Sequence, residues 1–399
     1  MDVNMSRLHF AVVGLVALVV AMVVIAGCRT PEPEIVVRSF EAPPDIGDGW
    51  PTASLEDVGL DEAPLRALAA ELDQDPNLNV HAVVVVKDGQ LVYEQYFAGE
   101  DQDWGRGVGR VSFDRDTLHD LRSVSKSVTS ALVGIAQGQG LVLSTEAGLT
   151  ELFPGHDLAP ELDAITLGSI LTMSAGFEWD ETIPYNDPRN SEIQMIRSDD
   201  PIRYVLEQEV VDTPGTVFNY SGGCTTLLAG LVERGSGESL ADYARSALFE
   251  PLGITAFTWH RNDSGMHAAA SGLRLKPRDL AKFGYLYLND GQWEGSRILP
   301  SEWVEQSTQP NSKPSWTVGY GYQWWIERFA SDERTIDVPA ALGLGGQRIF
   351  VVPELQLLVV VNAGNYNSSD PAHSLLGERL LSEYVFAAAG FTGAEFVEG

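Results

Sequence analysis

The chain has 399 residues, and 56 Asp and Glu against 26 Lys and Arg give it a formal charge of −30. So acidic a molecule repels phosphate backbones and anionic head groups, which excludes nucleic acid as a class of partner. The length suffices for one large domain carrying an insertion or for two domains, and the two cysteines cannot supply a disulfide framework.

Residues 1–27 read as an export signal: Arg7 is the only cation of the leader, and 18 uncharged residues from Phe10 to Gly27 precede Cys28. The run ends Ile25-Ala26-Gly27-Cys28, which resembles a bacterial lipoprotein signal. Cys28 is therefore expected to be the acylated first residue of an exported, membrane-anchored protein on the periplasmic or outer face, its acyl chains partnering the lipid bilayer. A retained membrane anchor or plain secretion are the alternatives. Only Cys224 then remains in the mature chain, read as a buried small hydrophobe, so stability must come from the core. Residues 28–52, rich in proline and acid, suit a tether. The folded domain is expected over 53–390, with 391–399 as a tail.

A helix is predicted from about Glu62 to Leu72, and HAVVVVKDGQLVYEQYF then gives two apolar runs around Asp88-Gly89, a strong hairpin signal. LRSVSKSVTSALVGIAQGQG at 121–140 reads as a helix starting near Ser123, packed through Val128, Ala131, Leu132 and Ile135 and ended by Gly138 and Gly140. After ITLGSILTMSAGF at 165–177 comes a polar loop to about Asp200, and helical patterns follow over 225–234, 240–249 and 278–291. GYGYQWWIERF and GGQRIFVVPELQLLVVVNAG read as strands, and a helix from about His373 to Ala389 closes the chain. Strands at both ends with helices between them predict an α/β fold: a sheet built from N- and C-terminal segments, flanked by helices, with a mostly helical inserted region.

Ser123 and Lys126 are three apart, so on a helix they share a face. The chain has only five lysines, and this one lies in an otherwise apolar helix. A serine hydroxyl is a weak nucleophile until a base takes its proton, and a lysine whose pKa is lowered can be that base. The helix N-terminus adds N–H groups where an oxyanion would form. The plain alternative makes Ser123 an N-cap and Lys126 a solvated residue. Tyr220, on a Ser-Gly-Gly turn leading into an apolar helix, is a second proton-exchanging candidate if an adjacent ammonium lowers its pKa. Gly343, Gly345 and Gly346 before a strand allow close approach of backbone to a ligand.

Taken in order, these three pieces resemble the serine β-lactamase and penicillin-binding protein superfamily, whose S-x-x-K motif stands here as Ser123-Val-Ser-Lys126. ITLGSILTMSAGF, AAASGLRLKPRDLAKFGYLYLNDGQWEGSRILPSEWV and YGYQWWI look like connecting segments of the class C-like branch of esterases, D-amino-acid peptidases and 6-aminohexanoate-dimer hydrolases. The resemblance implies a β-lactamase-like fold with an antiparallel sheet, Ser123 as nucleophile, Lys126 as proton acceptor and Tyr220 as second general base and acid. The backbone N–H groups of Ser123 and Leu344 would form the oxyanion hole. It implies a small amide or ester substrate, no cofactor and no metal, and nothing about oligomeric state.

Two departures bear on the substrate. Where β-lactamases carry Tyr-x-Asn, Tyr220 is followed by Ser221 and Gly222; where their third box opens with lysine or histidine, Ala341 and Leu342 precede Gly343. Both argue against β-lactamase or D-alanyl-D-alanine peptidase activity, which stays open as an alternative, as does a non-catalytic binding lipoprotein of the same fold. Trp179, Asp180 and Tyr185 are expected as substrate contacts, together with the three glycines, and Trp324 and Trp325 as a wall. His119 is expected to be structural.

Overall fold

Asp88 (φ 51°) and Gly89 (φ 77°) both adopt the left-handed backbone that a two-residue hairpin turn requires. They join strands β1 (Val80–Lys87) and β2 (Gln90–Tyr96). The computed structural model describes residues 38–398, so the expected signal, Cys28 and the first part of the expected tether lie outside the described residues. Helix α1 (Glu62–Gln74) starts where Asp61 accepts a hydrogen bond from the Ala63 N–H, and it buries Leu65, Leu68, Ala69 and Leu72 along one stripe. A second hairpin, β3 (Ala98–Asp103) with β4 (Arg106–Ser112), has no counterpart among the expected elements: its exposed, charged and glycine-rich residues show no apolar alternation.

The two-residue strand β5 (His119–Asp120) leads into α2 (Val124–Gly138), in which Val124 to Ala136 are all buried. The inserted region that follows is mostly helical and includes α3 (Gly222–Ser236), which packs against α2. Strand β6 (Leu273–Leu275) pairs with β5, and α4 (Pro277–Leu288) packs across β1 and the C-terminal strands.

Those strands are β7 (Gly319–Tyr320), β8 (Trp325–Ala330), β9 (Thr335–Gly343), β10 (Gln347–Val352), β11 (Leu357–Ala363) and β12 (Glu395–Val397). The main sheet runs β7-β8-β9-β10-β11-β1-β2, antiparallel throughout, with β12 pairing the second half of the β8 edge that β7 leaves free. The junction β11–β1 closes the sheet from both ends of the chain, as expected, and β11 is buried along its whole length, with α4 packed across it.

The boundaries differ from expectation at both ends. Trp50, placed in the tether, is 2% exposed, packs edge-on against Tyr285 and Trp293, and donates from its indole N–H to the Arg278 carbonyl. Arg278 in turn is held by Glu94, Asp48 and the Pro44 carbonyl. The compact unit therefore begins at Phe40. The segment 391–399, taken as a tail, contains buried Phe391 and Ala394 and the strand β12. Neither stretch has a sustained period; each is fixed by isolated aromatic anchors and edge pairing, which periodicity does not reveal.

Candidate active site

Arg122 adopts a left-handed backbone (φ 49°), and the turn it makes from β5 brings Ser123 to the N-cap position of α2. One helical turn on, Lys126 is 1% exposed, and its ammonium donates to Ser123 Oγ (3.2 Å) and to the Ala270 carbonyl (3.2 Å). Tyr220, just before α3, closes the cluster. The Lys126 Nζ lies 4.7 Å from its ring centre, its hydroxyl is hydrogen-bonded to Ser123 and Lys126, and Trp325 stacks on its far face at 5.5 Å. Lys126 is thus not a solvated first-turn residue, because three separate segments enclose it.

Ser123 opens on a cleft of about 400 Å³ whose lining includes Trp104, Arg122, Tyr185, Glu192, Ser271 and Leu344. Gly343 ends β9 against the loop that carries Ser123: a Cβ there would lie 2.3 Å from the Leu121 carbonyl oxygen, so only glycine lets the Gly343-Leu344 peptide reach the cleft. The Gly343 carbonyl accepts from the Gly346 N–H (3.3 Å) and from Arg348 Nη1 (3.4 Å), which fixes that peptide plane. Arg348, on β10, is itself clamped by Glu378 (2.7 Å). Gly345 packs on the ring of Tyr366, and Gly343, Gly345 and Gly346 line a smaller adjoining cavity of about 230 Å³.

The electrostatics differ from the simple expectation of a lowered lysine pKa. Burial disfavours the Lys126 ammonium, but the carboxylates Glu192 and Glu181, with the hydrogen bond to Tyr220, hold the group above its ordinary value. Burial likewise raises Tyr220, with Lys126 only partly opposing. The resting pair is an ammonium beside a neutral phenol. Glu192 is pushed up to about 7, first by burial and then by the charge of Glu181, with which it shares a hydrogen bond.

Of the side chains expected to touch substrate, Tyr185 lines the cleft and donates to Glu181 Oε2 (3.1 Å). Trp179 does not line it: the ring is buried and its N–H binds Glu181 Oε1 (2.6 Å). Asp180 also lies off the cleft, its carboxylate turned onto Thr182 by local hydrogen bonds. Trp324 is fully buried against Phe283 and Tyr287, and Trp325 backs Tyr220 instead of forming a wall.

The acid pair was not found in the sequence, although a signal existed. Gly222 stands where a β-lactamase box carries asparagine, and its N–H donates to Glu181 Oε1. A Cβ at 222 would sit 2.9 Å from Glu192 Cδ and 3.1 Å from Glu181 Oε1, so the missing side chain is the space the two carboxyls occupy. Cys224 is buried, as expected.

An antiparallel sheet assembled from both chain ends, with a Ser-x-x-Lys helix and a tyrosine meeting beneath it, defines a protein of β-lactamase-like fold. The β-lactamase family profile matches residues 65–380, and the chain belongs to that family. It is similar to the 6-aminohexanoate-dimer hydrolase of Paenarthrobacter ureafaciens, with 26% identity over 363 residues covering 82% of this chain and 86% of the relative. Among solved structures it resembles a Bacillus anthracis protein provisionally named a 6-aminohexanoate-dimer hydrolase (TM-score 0.64, 23% identity, 90% of this chain and 89% of the other). It also resembles EstCE1, a hydrolase with promiscuous acyltransferase activity (TM-score 0.62, 13% identity, 80% and 97%). The family match and the Paenarthrobacter relative support a hydrolase, and the two solved structures show the shared fold.

Proposed function

We propose that the protein is a serine hydrolase that cleaves small amides or esters through an acyl ester on Ser123. The observation carrying this reading is the enclosed Ser123–Lys126–Tyr220 cluster at a helix N-terminus, open to a cleft on the serine side alone. Once the Lys126–Tyr220 couple, which behaves as one titrating unit, has lost a proton to solvent, Ser123 Oγ attacks the substrate carbonyl and its proton passes to that couple. The backbone N–H groups of Ser123 and Leu344 receive the developing oxyanion. The couple returns the proton to the departing amine or alcohol, and water then attacks the ester with the same couple as base, restoring Ser123.

The likeness to the Paenarthrobacter hydrolase favours amides of aminoalkanoate type. The lack of a cation before Gly343 disfavours β-lactams, and we expect no Ser123-dependent hydrolysis of a chromogenic cephalosporin. Intact-mass and peptide-mapping analysis after reaction with a fluorophosphonate tests the nucleophile. One adduct on Ser123, absent in Ser123→Ala, is the expected result; a folded protein that takes up no label would overturn the reading in favour of a binding lipoprotein.

We further propose that Cys28 carries the lipid that holds the enzyme at the membrane of an exporting cell. Metabolic labelling with an alkynyl fatty acid should mark the chain and fail to mark Cys28→Ala; equal labelling of both would refute the anchor.

A further inference from the structure

Beside the cleft, outside its lining, His81 on β1, Asp101 on β3 and His119 on β5 converge, each at most 6% exposed, with one donor atom apiece all lying within 4.8 Å of one another. Their ring nitrogens can be assigned. His119 Nδ1 lies 2.9 Å from the Asp120 carbonyl oxygen, an acceptor only, so it carries a proton. His81 Nε2 faces the Glu100 carbonyl and, at 3.3 Å, Asn79 Oδ1. The Asn79 amide cannot flip to offer a donor, because its Nδ2 donates to the Glu100 carbonyl while its Oδ1 accepts the Glu100 N–H, each at 2.9 Å. His81 Nε2 is therefore a donor as well.

With both outer nitrogens protonated, the inner ones, His81 Nδ1 and His119 Nε2, present lone pairs to each other at 2.7 Å. Asp101 Oδ1 stands 4.0 Å from His119 Nε2. Two converging lone pairs and a carboxylate need a positive charge among them. Arg110 acts on His81 only through space, and Arg274, 3.9 Å from Asp101, is already engaged by Asp103 (2.7 Å) and Asp120 (3.1 Å). In the neighbouring group of Asp103, Asp120 and His260 that same guanidinium supplies the charge, so no ion is called for there.

We infer that His81, His119 and Asp101 form a binding site for a divalent transition-metal ion of the zinc class, a structural centre that ties β1, β3 and β5 together beneath the nucleophile loop. Two imidazoles whose outer N–H groups are donated to oxygen acceptors, with one carboxylate, are a donor set of this kind. Metal–nitrogen bonds of about 2.0–2.1 Å at tetrahedral angles separate two ligand nitrogens by roughly 3.3 Å, so the rings need to part by about half an ångström. A water can take the fourth position, while the Tyr366 hydroxyl donates to Asp101 Oδ1 (3.1 Å) and orients the carboxylate. Tyr366 also supports Gly345, so the centre would brace the oxyanion loop as well as the strand leading to Ser123.

The test is metal analysis by inductively coupled plasma mass spectrometry of the full chain, without a histidine tag, as purified in detergent and again after EDTA treatment and dialysis against zinc chloride. We expect about one zinc per chain, a fall in thermal midpoint on EDTA treatment that zinc reverses, and loss of the zinc in His81→Asn and Asp101→Asn. Should His81→Asn fail to fold, the near-isosteric Asp101→Asn decides. Substoichiometric zinc before and after dialysis would mean that the inner nitrogens share a proton, and stoichiometric zinc retained by Asp101→Asn would mean that the ion sits elsewhere; either overturns the site.

Discussion

At the scale of single residues, the site is set by what Lys126 cannot escape. Buried between Ser123, Tyr220 and the Ala270 carbonyl, with two carboxyls nearby, it stays an ammonium until the Lys126–Tyr220 couple gives up a proton. Both members are raised above their ordinary values, so the productive form grows as pH increases. We therefore expect kcat/KM for a nitrophenyl ester to rise from pH 6 toward alkaline pH, and a profile falling over that range would contradict the assignment. Glu192 makes a separate claim. Its folded pKa, about 7, exceeds that of an exposed glutamate, so its contribution to stability is fully present at low pH and is lost as pH rises through about 7. Glu192→Gln, which imitates the protonated acid, should raise the thermal midpoint at pH 8, a stabilisation on the order of 2 kcal/mol, leave it unchanged at pH 4, and reduce turnover. Gly222→Ala drives a methyl group into the same pair; a loss of about 1–3 kcal/mol in stability and at least a tenfold fall in kcat/KM are expected, read by thermal melts and steady-state rates.

At the scale of elements, β9 and β10 hold the Gly343-Leu344 peptide, the proposed oxyanion donor, in place through a buried charge. Arg348 touches the Gly343 carbonyl and is neutralised by Glu378, and Glu327 lies fully buried beside that carboxylate. Burial first, and the charge of Glu378 second, push Glu327 well above the carboxylate range, so it is held as the neutral acid. The charged pair and the neutral acid should then respond differently. Arg348→Gln leaves Glu378 unpaired and is expected to cost about 3–5 kcal/mol in denaturant melts, whereas Glu327→Gln, which replaces one neutral group by another, should stay within about 1 kcal/mol. The elements that sequence patterns revealed are those with one dominant period: the hairpin at Asp88-Gly89, the amphipathic stripe of α1, the nucleophile helix and the β-branched runs of β10 and β11. The three central residues were legible because their chemistry needs fixed spacing within short boxes. Glu181 and Glu192 were not, since a buried carboxyl in a polar loop looks like a solvated one until α3 closes over it. His81 and His119 were likewise invisible as a pair, being 38 positions apart on strands of different sheets.

At the scale of the whole molecule, the segment before α1 belongs to the structure. The Leu91 N–H donates to the Pro51 carbonyl (2.8 Å), the Ala53 N–H donates back to Leu91 (3.3 Å), and Arg278 reaches Asp48 and Pro44. A chain beginning at residue 54 would strip partners from buried Arg278 and uncover the aromatic nest around Trp50. We expect it to be insoluble or to melt well below a chain beginning at residue 38, and equal melting temperatures would show that the segment merely lies on the surface.

One wall of the cleft has a further consequence. Tyr185, Asn186, Glu192, Ile193, Ile196 and Arg197 all come from a single stretch between α2 and α3, whereas Ser123 caps, and Lys126 lies within, a helix buried from Val124 to Ala136. Glu192 apart, drift in that stretch can change which molecule fits without disturbing the attacking groups. A lineage built this way can acquire new substrates by rewriting about a dozen codons, and neighbouring species should differ most there.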